Sequence, residues 1–352
     1  MALTSRGKAI VAGGAVVAVL GGGVAALALS GDNPVARALD PVVPGDQAPP
    51  TPCPLTGVPV GEDKEPPNRP ALAVKVENTP DAQPLAGLDK ADIVYEEVVE
   101  GGITRFIVVF NCSGAERVGP VRSARTTDPK IMLQFSEHPL LAYSGGANKV
   151  VNLIKESGVV GMTEGDPTPP FTRDDAREVP HNLFVNTNKL WVTGKKRAKG
   201  EPAPQAIFSY DEDVQKPSKK VTGATIDFPL TAAEWRWEDG DWVRYQNGAA
   251  MILEDDSNVA FDNVVIQVVE TTESDILDVT GYPSPEVEVT GTGKAWLLRN
   301  GKLITGTWSR PGEDDITVFT TKGGDEFLLK PGTTFVELAP TGMFTAPISF
   351  QK

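Results

Sequence analysis

Alternating apolar and polar positions are strongest over residues 91–111, which read ADIVYEEVVEGGITRFIVVFN. Two runs rich in β-branched and aromatic residues, 93–99 and 103–110, flank the pair Gly101-Gly102. Two glycines between such runs suit a two-residue primed turn. The pattern therefore predicts a hairpin at the centre of a sheet.

Side-chain alternation gives this hairpin one charged face. A two-residue turn pairs Val98 with Arg105, so that Glu96, Glu100 and Arg105 project from the same side. Glu96 and Glu100 would then both lie diagonally across from Arg105 on the neighbouring strand. We expect recognition or chemistry on this face, although the pattern does not indicate a particular reaction.

A twin-arginine loop follows the hairpin, with VGPVRSAR at residues 118–125. Asp128 and the proline after it are typical of a helix start, which predicts a helix over residues 128–137. Apolar spacing predicts two more helices, over residues 147–156 and 187–196. The part of the chain before about residue 205 therefore mixes helices with strands.

Beyond that point the pattern changes to short strands separated by turn pairs. Asn247-Gly248 and Asn300-Gly301 lie between apolar runs and are strong signals for tight hairpins. No helical period of any length is visible there. This part of the sequence predicts an all-β module.

The predicted fold class is α+β, in two domains. A mixed α/β N-terminal domain with the central hairpin covers residues 53–205. A β-rich C-terminal domain covers residues 206–352.

The segment before residue 53 has the composition of an export signal and a tether. Arg6 and Lys8 precede an uncharged run, which indicates a signal peptide or a signal anchor over residues 1–30. Residues 31–52 are rich in Pro, Asp and Ala, and we interpret them as a Pro-rich tether. We expect an exported protein, either on the outer face of the cytoplasmic membrane or secreted, and cleavage of the segment stays open.

The chain contains two cysteines, Cys53 and Cys112. An oxidising compartment favours a disulfide between them. Metal ligation is the alternative, but the cysteines and the two histidines, His138 and His181, lack the spacing of a zinc site. The sequence therefore predicts a disulfide, and it predicts neither a metal nor a cofactor.

Net charge and motifs restrict the function. The formal charge of −14 repels a phosphate backbone, so nucleic acid is not an expected partner. Gly-x-Ser-x-Gly, His-Glu-x-x-His and P-loop motifs are not found. The chain therefore fits a binding protein better than an enzyme with a common signature.

The twin arginines are the main candidates for binding. Guanidinium groups match phosphate or carboxylate, and a helix N-terminus behind them adds N–H donors. The alternative is that Arg122 and Arg125 pair internally with the hairpin glutamates. A long polar loop adds His181 and Asn182. Its Asp174, Asp175 and His181 suit an acid–base or divalent-ion site, and a loop stabilised by local hydrogen bonds is the alternative. The candidate ligand-binding residues are Glu96, Glu100, Arg105, Arg122, Arg125, His181 and Asn182.

Several longer motifs occur in both parts of the chain. They are NRPALAVKVEN from residue 68, ADIVYEEVVEGGITRF, GPVRSAR, PHN at residues 180–182, RYQNG from residue 244, and GKLITGTWSR from residue 301. In these motifs the chain resembles the YerB-like putative lipoprotein family, a two-domain bacterial envelope family of unknown function. The resemblance implies architecture and an envelope location, but no reaction. The family label also implies a lipobox, which this chain lacks, so that membrane attachment would be through the N-terminal apolar segment.

Together these features predict an extracytoplasmic, membrane-tethered cell-envelope protein that binds an anionic small molecule or a cell-wall glycan. The binding site would include Glu96, Arg105, Arg122 and Arg125. One alternative is an envelope hydrolase that uses the hairpin carboxylates or His181. Another is a non-enzymatic scaffold.

Overall fold

The structure is a computed structural model that describes residues 50–61, 64–278 and 281–352. The predicted signal segment, residues 1–30, and almost all of the tether lie outside the described residues. Among the described residues, no helix is both long and apolar enough to cross a membrane.

The described part of the chain before residue 205 contains both strands and α-helices. Its strands are β1 (Leu72–Glu77), β2 (Ile93–Val98), β3 (Thr104–Phe110), β4 (Leu140–Ala142), β5 (Val160–Met162), β6 (Phe171–Arg173) and β7 (Leu183–Val185). Its α-helices are α1 (Thr127–Leu133), α2 (Asn148–Glu156) and α3 (Thr187–Gly194).

The part after residue 205 is built from strands, as predicted. They are β8 (Ser209–Tyr210), β9 (Lys219–Lys220), β10 (Gly223–Phe228), β11 (Thr231–Glu238), β12 (Asp241–Gln246), β13 (Ala249–Ala250), β14 (Ala260–Phe261), β15 (Asn263–Leu277), β16 (Pro283–Glu288), β17 (Gly291–Arg299), β18 (Lys302–Arg310), β19 (Val318–Thr321), β20 (Leu328–Leu329), β21 (Thr334–Gly342) and β22 (Ile348–Gln351). The described residues are thus mainly β with three short α-helices, which agrees with the α+β class at this coarse level.

Within the described residues, twelve strands form one mixed sheet. The order along it is β19-β18-β17-β15-β21-β2-β3-β1-β4-β5, with β16 beside β15 and β9 beside β18. Strand β21 pairs in parallel with both β15 and β2, so it joins the two parts of the chain. Pro49–Lys352 accordingly groups as one compact unit. The domain boundary near residue 205 stays a prediction, since the sheet continues across it.

A second sheet covers one face of the large sheet. Its order is β13-β12-β11-β10-β22, with β14 beside β12. Trp235 packs edge-on against Phe335 with ring centroids 4.8 Å apart, and Phe335 contacts Phe106 in the same way at 5.7 Å. These buried rings fill the space between the sheets, since edge-to-face contacts suit aromatic side chains in a core. Helix α1 covers the other face, where Gln134 donates a hydrogen bond to the Tyr95 hydroxyl at 3.2 Å.

The predicted helices are present with small differences at their ends. Helix α1 ends at Leu133 rather than near residue 137. The Gln134 side chain donates to the Ile131 carbonyl, and the Phe135 N–H donates to Met132, which tightens the last turn. At α3 the capping residue is Asn186, because its side chain, rather than that of Thr187, accepts the Lys189 N–H.

The central hairpin is present, but the predicted register is wrong by one residue. Glu97 lies opposite Arg105, whereas the two-residue turn would place Val98 there. The loop contains three residues, Glu100–Gly102, and the Val99 N–H donates to the Ile103 carbonyl at 2.8 Å across it. A loop of three residues instead of two shifts the pairing of the two strands by one residue.

The register decides which side chains share a face. Arg105 shares a face with Glu97 and Glu77, which lie opposite it on β2 and β1. Glu96 projects from the other face, toward the second sheet. The predicted grouping of Glu96 with Arg105 is therefore wrong, because side chains alternate with a period of two.

The local turn and cysteine predictions are confirmed. Asn247 and Gly248 have φ angles of 51° and 83°, and they join Gln246 to Ala249 as a two-residue loop. Positive φ at both positions is what a type I′ turn requires. Cys53 and Cys112 form a disulfide with an S–S distance of 2.05 Å. The bridge joins Cys53, at the start of the described fold, to Cys112, which is the second residue after β3.

Candidate functional site

The twin-arginine loop is held in place by backbone hydrogen bonds along the last half of β1. Strand β1 pairs with β4 only from Leu72 to Val74, which leaves its remaining residues free for other partners. The Glu77 N–H donates to Pro120, and the Arg122 N–H donates to Lys75, at 3.0 and 2.9 Å. The loop therefore continues the sheet where β4 ends, and this fixes the direction of its arginine side chains.

A cleft of about 350 Å³ opens between this loop, the tip of the central hairpin and the start of α2. We call it the arginine cleft, after Arg105, Arg122 and Arg125. Its lining residues are Glu100, Ile103, Arg105, Arg122, Ser123, Ala124, Arg125, Gly146, Ala147, Val150, Leu277, Asp278 and Ser284.

Arg125 is engaged by internal partners. Its Nε lies 3.0 Å from a Glu100 carboxylate oxygen, its Nη2 contacts the same oxygen, and its Nη1 donates to Ala124 at 2.8 Å. The Ser284 hydroxyl donates to the other Glu100 oxygen. Burial alone would raise the pKa of Glu100, but Arg125 and these hydrogen bonds hold it below its usual value. This pair matches the internal-pairing alternative.

Arg122 also has an acidic partner, although a looser one. Its Nε lies 3.4 Å from a carboxylate oxygen of the buried Glu77. The same oxygen lies 2.8 Å from Nδ1 of His181, which is 22% exposed. Within the described residues, Glu77 connects His181 to Arg122, and His181 does not line the cleft.

Arg105 differs from its two neighbours. It is 8% exposed, and its Nη1 donates a hydrogen bond to the Ser123 carbonyl at 3.3 Å. Among the described residues, no carboxylate oxygen lies within 4.0 Å of its guanidinium. Burial lowers the pKa of Arg105 to about 10, and the nearby charge of Arg125 adds to this effect. The cleft thus contains a buried cation without a contacting anion.

Glu96 is not part of this cleft. It is fully buried between the sheets, where Arg244 Nη2 donates to it at 2.8 Å and Asn78 donates at 3.0 Å. Asn182 is also elsewhere, since its side-chain oxygen accepts a hydrogen bond from Arg173 at 2.8 Å. The structure therefore brings together four of the seven predicted residues: Glu100, Arg105, Arg122 and Arg125.

The start of α1 is not a free anion site. The helix has seven residues, and the Asp128 side chain in its first turn accepts the Arg125 N–H at 2.8 Å. The expected contribution of this helix N-terminus is therefore wrong, because a carboxylate of the chain already occupies it.

The hairpin carboxylates do not form an open catalytic pair. Glu96 and Glu97 are both 0% exposed, and they project from opposite faces of β2. An acid and a base that cleave a glycoside must both reach the bond from one site. The hairpin alone therefore supplies no such pair.

Several residues of the site carry no signal in the sequence. Ser284 contacts Glu100, which is 184 positions away in the sequence, and Glu77 contacts His181, which is 104 positions away. Such pairings depend on the sheet order. Alternation along β1 places Lys75 and Glu77 on one face, but that Arg105 shares this face depends on the register between β1 and β3.

Comparison with known proteins agrees with this architecture. The family described as "Protein of unknown function (DUF3048)" matches with its N-terminal domain model at residues 55–201 and its C-terminal domain model at residues 224–336. The protein "Putative lipoprotein YerB" of Bacillus subtilis (strain 168) is 29% identical over 303 residues, which are 82% of this chain and 86% of that protein. The crystal structure of YerB from Bacillus subtilis superposes with a TM-score of 0.69 at 24% identity, covering 85% of this chain and 99% of that chain. At this identity the structural likeness shows the fold alone.

Proposed function

Because this chain belongs to the DUF3048 family of unknown function, whose two domain models it matches in order, we propose a role in the cell envelope. In this proposal the protein is exported and tethered to the membrane, and it binds an anionic group in the arginine cleft. The description of its relative YerB as a putative lipoprotein supports the location. The disulfide supports it too, since disulfides persist in oxidising compartments.

The binding proposal rests on the observation that Arg105 is buried without a contacting carboxylate. Arg122 and Arg125 each contact one carboxylate, whereas Arg105 contacts none within 4.0 Å in the described part of the chain. A buried charge without a partner is costly, and an anion within reach would compensate it. We infer that the ligand supplies the carboxylate, phosphate or sulfate group that Arg105 lacks.

The charges around the cleft favour a compact acidic group over a polyanion. Glu100 and Asp278 also line the cleft, so that a densely charged polymer would meet repulsion beside the arginines. Guanidinium groups bind planar or tetrahedral oxyanions through paired N–H donors. A small-molecule anion and an acidic group on a cell-wall glycan share this chemistry.

Neutral sugar stacking has less support. Trp235 and Trp242 are fully buried and Trp308 is 3% exposed, so these rings belong to the core. Stacking on a sugar requires an exposed aromatic face. The proposal therefore rests on charge.

The test is thermal unfolding of the protein in inorganic phosphate, in sulfate and in chloride at equal ionic strength. Binding to the folded state stabilises it by about 2.7 kcal/mol when the ligand is at 100 times its Kd. We expect phosphate or sulfate to raise the melting temperature above the chloride value. Equal ionic strength is needed because salt also screens the charges of the cleft.

The decisive variant is Arg105→Met, with Arg236→Met as the control. Arg236 is a partly exposed arginine that contacts Glu234 on β11. We expect Arg105→Met to keep or raise the melting temperature in chloride, because it removes an uncompensated buried charge, and to lose the response to phosphate and sulfate. The control should keep that response. A wild-type protein without any anion-specific response, or an Arg105→Met variant that retains it, would contradict the proposal.

A further inference from the structure

Lys75 is a buried primary amine held between two buried carboxylates. Its Nζ lies 2.6 Å from Oδ1 of Asp128 and also contacts Oε1 of Glu97. All three side chains are 0% exposed. The cluster does not line the arginine cleft.

Three different elements hold this cluster. Lys75 lies on β1 and Glu97 on β2, with β3 between them, and their side chains project from the same face of the sheet. Asp128 comes from the first turn of α1, which packs on that face. The amine and both carboxyl groups are therefore fixed by backbone that the sheet and helix position.

The charges of the cluster are not balanced. One ammonium faces two carboxylates in a site closed to water, so at least one carboxyl group is more stable in its protonated form. Burial raises the pKa of Glu97, and the charge of Asp128 adds to the rise, although Lys75 opposes it. Glu97 is thus able to take a proton from a neighbour and return it.

We propose that Lys75 and Asp128 condense to an intramolecular amide bond, with Glu97 as the proton carrier. Glu97 accepts one proton from the Lys75 ammonium, and the neutral amine attacks Cγ of Asp128. An Nζ–Cγ bond forms and the Cγ–Oδ1 bond breaks. The leaving oxygen takes two protons, one returned by Glu97 and one from the nitrogen, and departs as water. One ammonium and one carboxylate become one amide and one water, so no oxidant or co-reactant is needed.

Asp128 is assigned as the acceptor because of its second oxygen. Oδ2 accepts the Arg125 N–H at 2.8 Å, while Oδ1 faces the amine. A fixed backbone N–H stabilises the negative charge that develops on that oxygen when the amine adds. Glu97 contacts the amine itself, which suits a group that moves protons.

Burial favours the product. Condensation removes an ammonium and a carboxylate from a site without water, where separate charges are costly. The reacting groups are already in contact, so their encounter requires no further loss of freedom. The bond would join β1 to α1 across 53 positions of the chain.

The experiment is peptide mapping of the full chain after denaturation, reduction, alkylation and proteolysis. We expect the peptide containing Lys75 to be joined to the peptide containing Asp128, with a mass about 18 Da below the sum of the two. Lys330 and Asp262 provide an internal control, because their Nζ–Oδ1 distance is also 2.6 Å but both are about a quarter exposed. That pair should be recovered unlinked.

Variants separate the roles within the cluster. Lys75→Arg keeps the charge without a primary amine, and Glu97→Gln removes the proton carrier, so neither should contain the link. Asp128→Asn should still link, with release of ammonia and a mass about 17 Da lower. A free Lys75 amine in the mature wild-type chain would overturn the proposal whether or not any variant folds. A link to Glu97 would overturn the assignment of Asp128, and a link between Lys330 and Asp262 would show that handling creates the bond.

Discussion

Substitution of Glu337 by Gln tests how the two sheets tolerate charge between them. Glu337 on β21 lies directly opposite Glu96 on β2, and both are 0% exposed. Arg244 from the second sheet lies 2.8 Å from Glu96 and 3.7 Å from Glu337. Two carboxylates therefore share one guanidinium. The Trp235 ring N–H donates to Glu337 at 2.7 Å.

Burial raises the pKa of Glu337 well above its ordinary value, and the negative charge of Glu96 raises it further, although Arg244 opposes the change. Above the ordinary glutamate pKa, the unfolded state releases this proton while the folded state keeps it. The unfolded state then binds fewer protons, so the free energy of unfolding falls as the pH rises. For one such group, the free energy of unfolding falls by about 1.4 kcal/mol per pH unit, until the pH reaches the pKa of the group in the folded state.

Gln cannot ionise, so Glu337→Gln removes this loss. Above the ordinary glutamate range we expect the variant to gain about 1.4 kcal/mol per pH unit relative to wild type, as long as Glu337 of the folded wild type keeps its proton. Urea unfolding at several pH values measures the difference, with Glu270→Gln, an exposed position on β15, as the control. A difference between Glu337→Gln and wild type that does not change with pH would refute the reasoning.

Two further predictions concern the framework. Replacement of both Cys53 and Cys112 by serine should lower the free energy of unfolding by about 4 kcal/mol in the chain-entropy estimate for a sequence separation of 59, while non-reducing alkylation of wild type should find no free thiol. In Gly306→Ala, the added Cβ would lie 1.8 Å from the Thr320 carbonyl oxygen, so β18 and β19 must separate and urea unfolding should show a loss of several kcal/mol. Gly165→Ala, where the closest atom is 3.7 Å away, should be near neutral, and a similar effect of both alanines would contradict the steric argument.

Local signals in the sequence predicted the elements well. Asn247-Gly248 and Asn300-Gly301 specify their turns because only a few residues accept positive φ at adjacent positions. The cysteine pairing was predicted from the expected export and from the number of cysteines. The prediction of the hairpin register was wrong because two adjacent glycines fit both a two-residue and a three-residue loop. The neighbouring residues do not distinguish these two loops.

The candidate site was only partly predictable. Arg122 and Arg125 were identified because they lie in one short motif, and Arg105 because it lies on the second strand of the hairpin. Glu96 was misplaced by the one-residue error in register, which moves an entire set of side chains to the other face. Ser284 could not be found from the sequence, because its contact with Glu100 depends on β16 lying beside the hairpin tip.

The buried amine and the arginine cleft meet at one short segment of the chain. Arg125 turns its guanidinium toward Glu100, while its backbone N–H donates to Asp128, the residue that contacts Lys75. Three arginines on one cleft repel one another, so the loop that carries two of them gains from a rigid support. A fixed Asp128 supplies that support from within the core. A cleft that is already held open would lose less freedom on binding the proposed anion, and this would strengthen that binding.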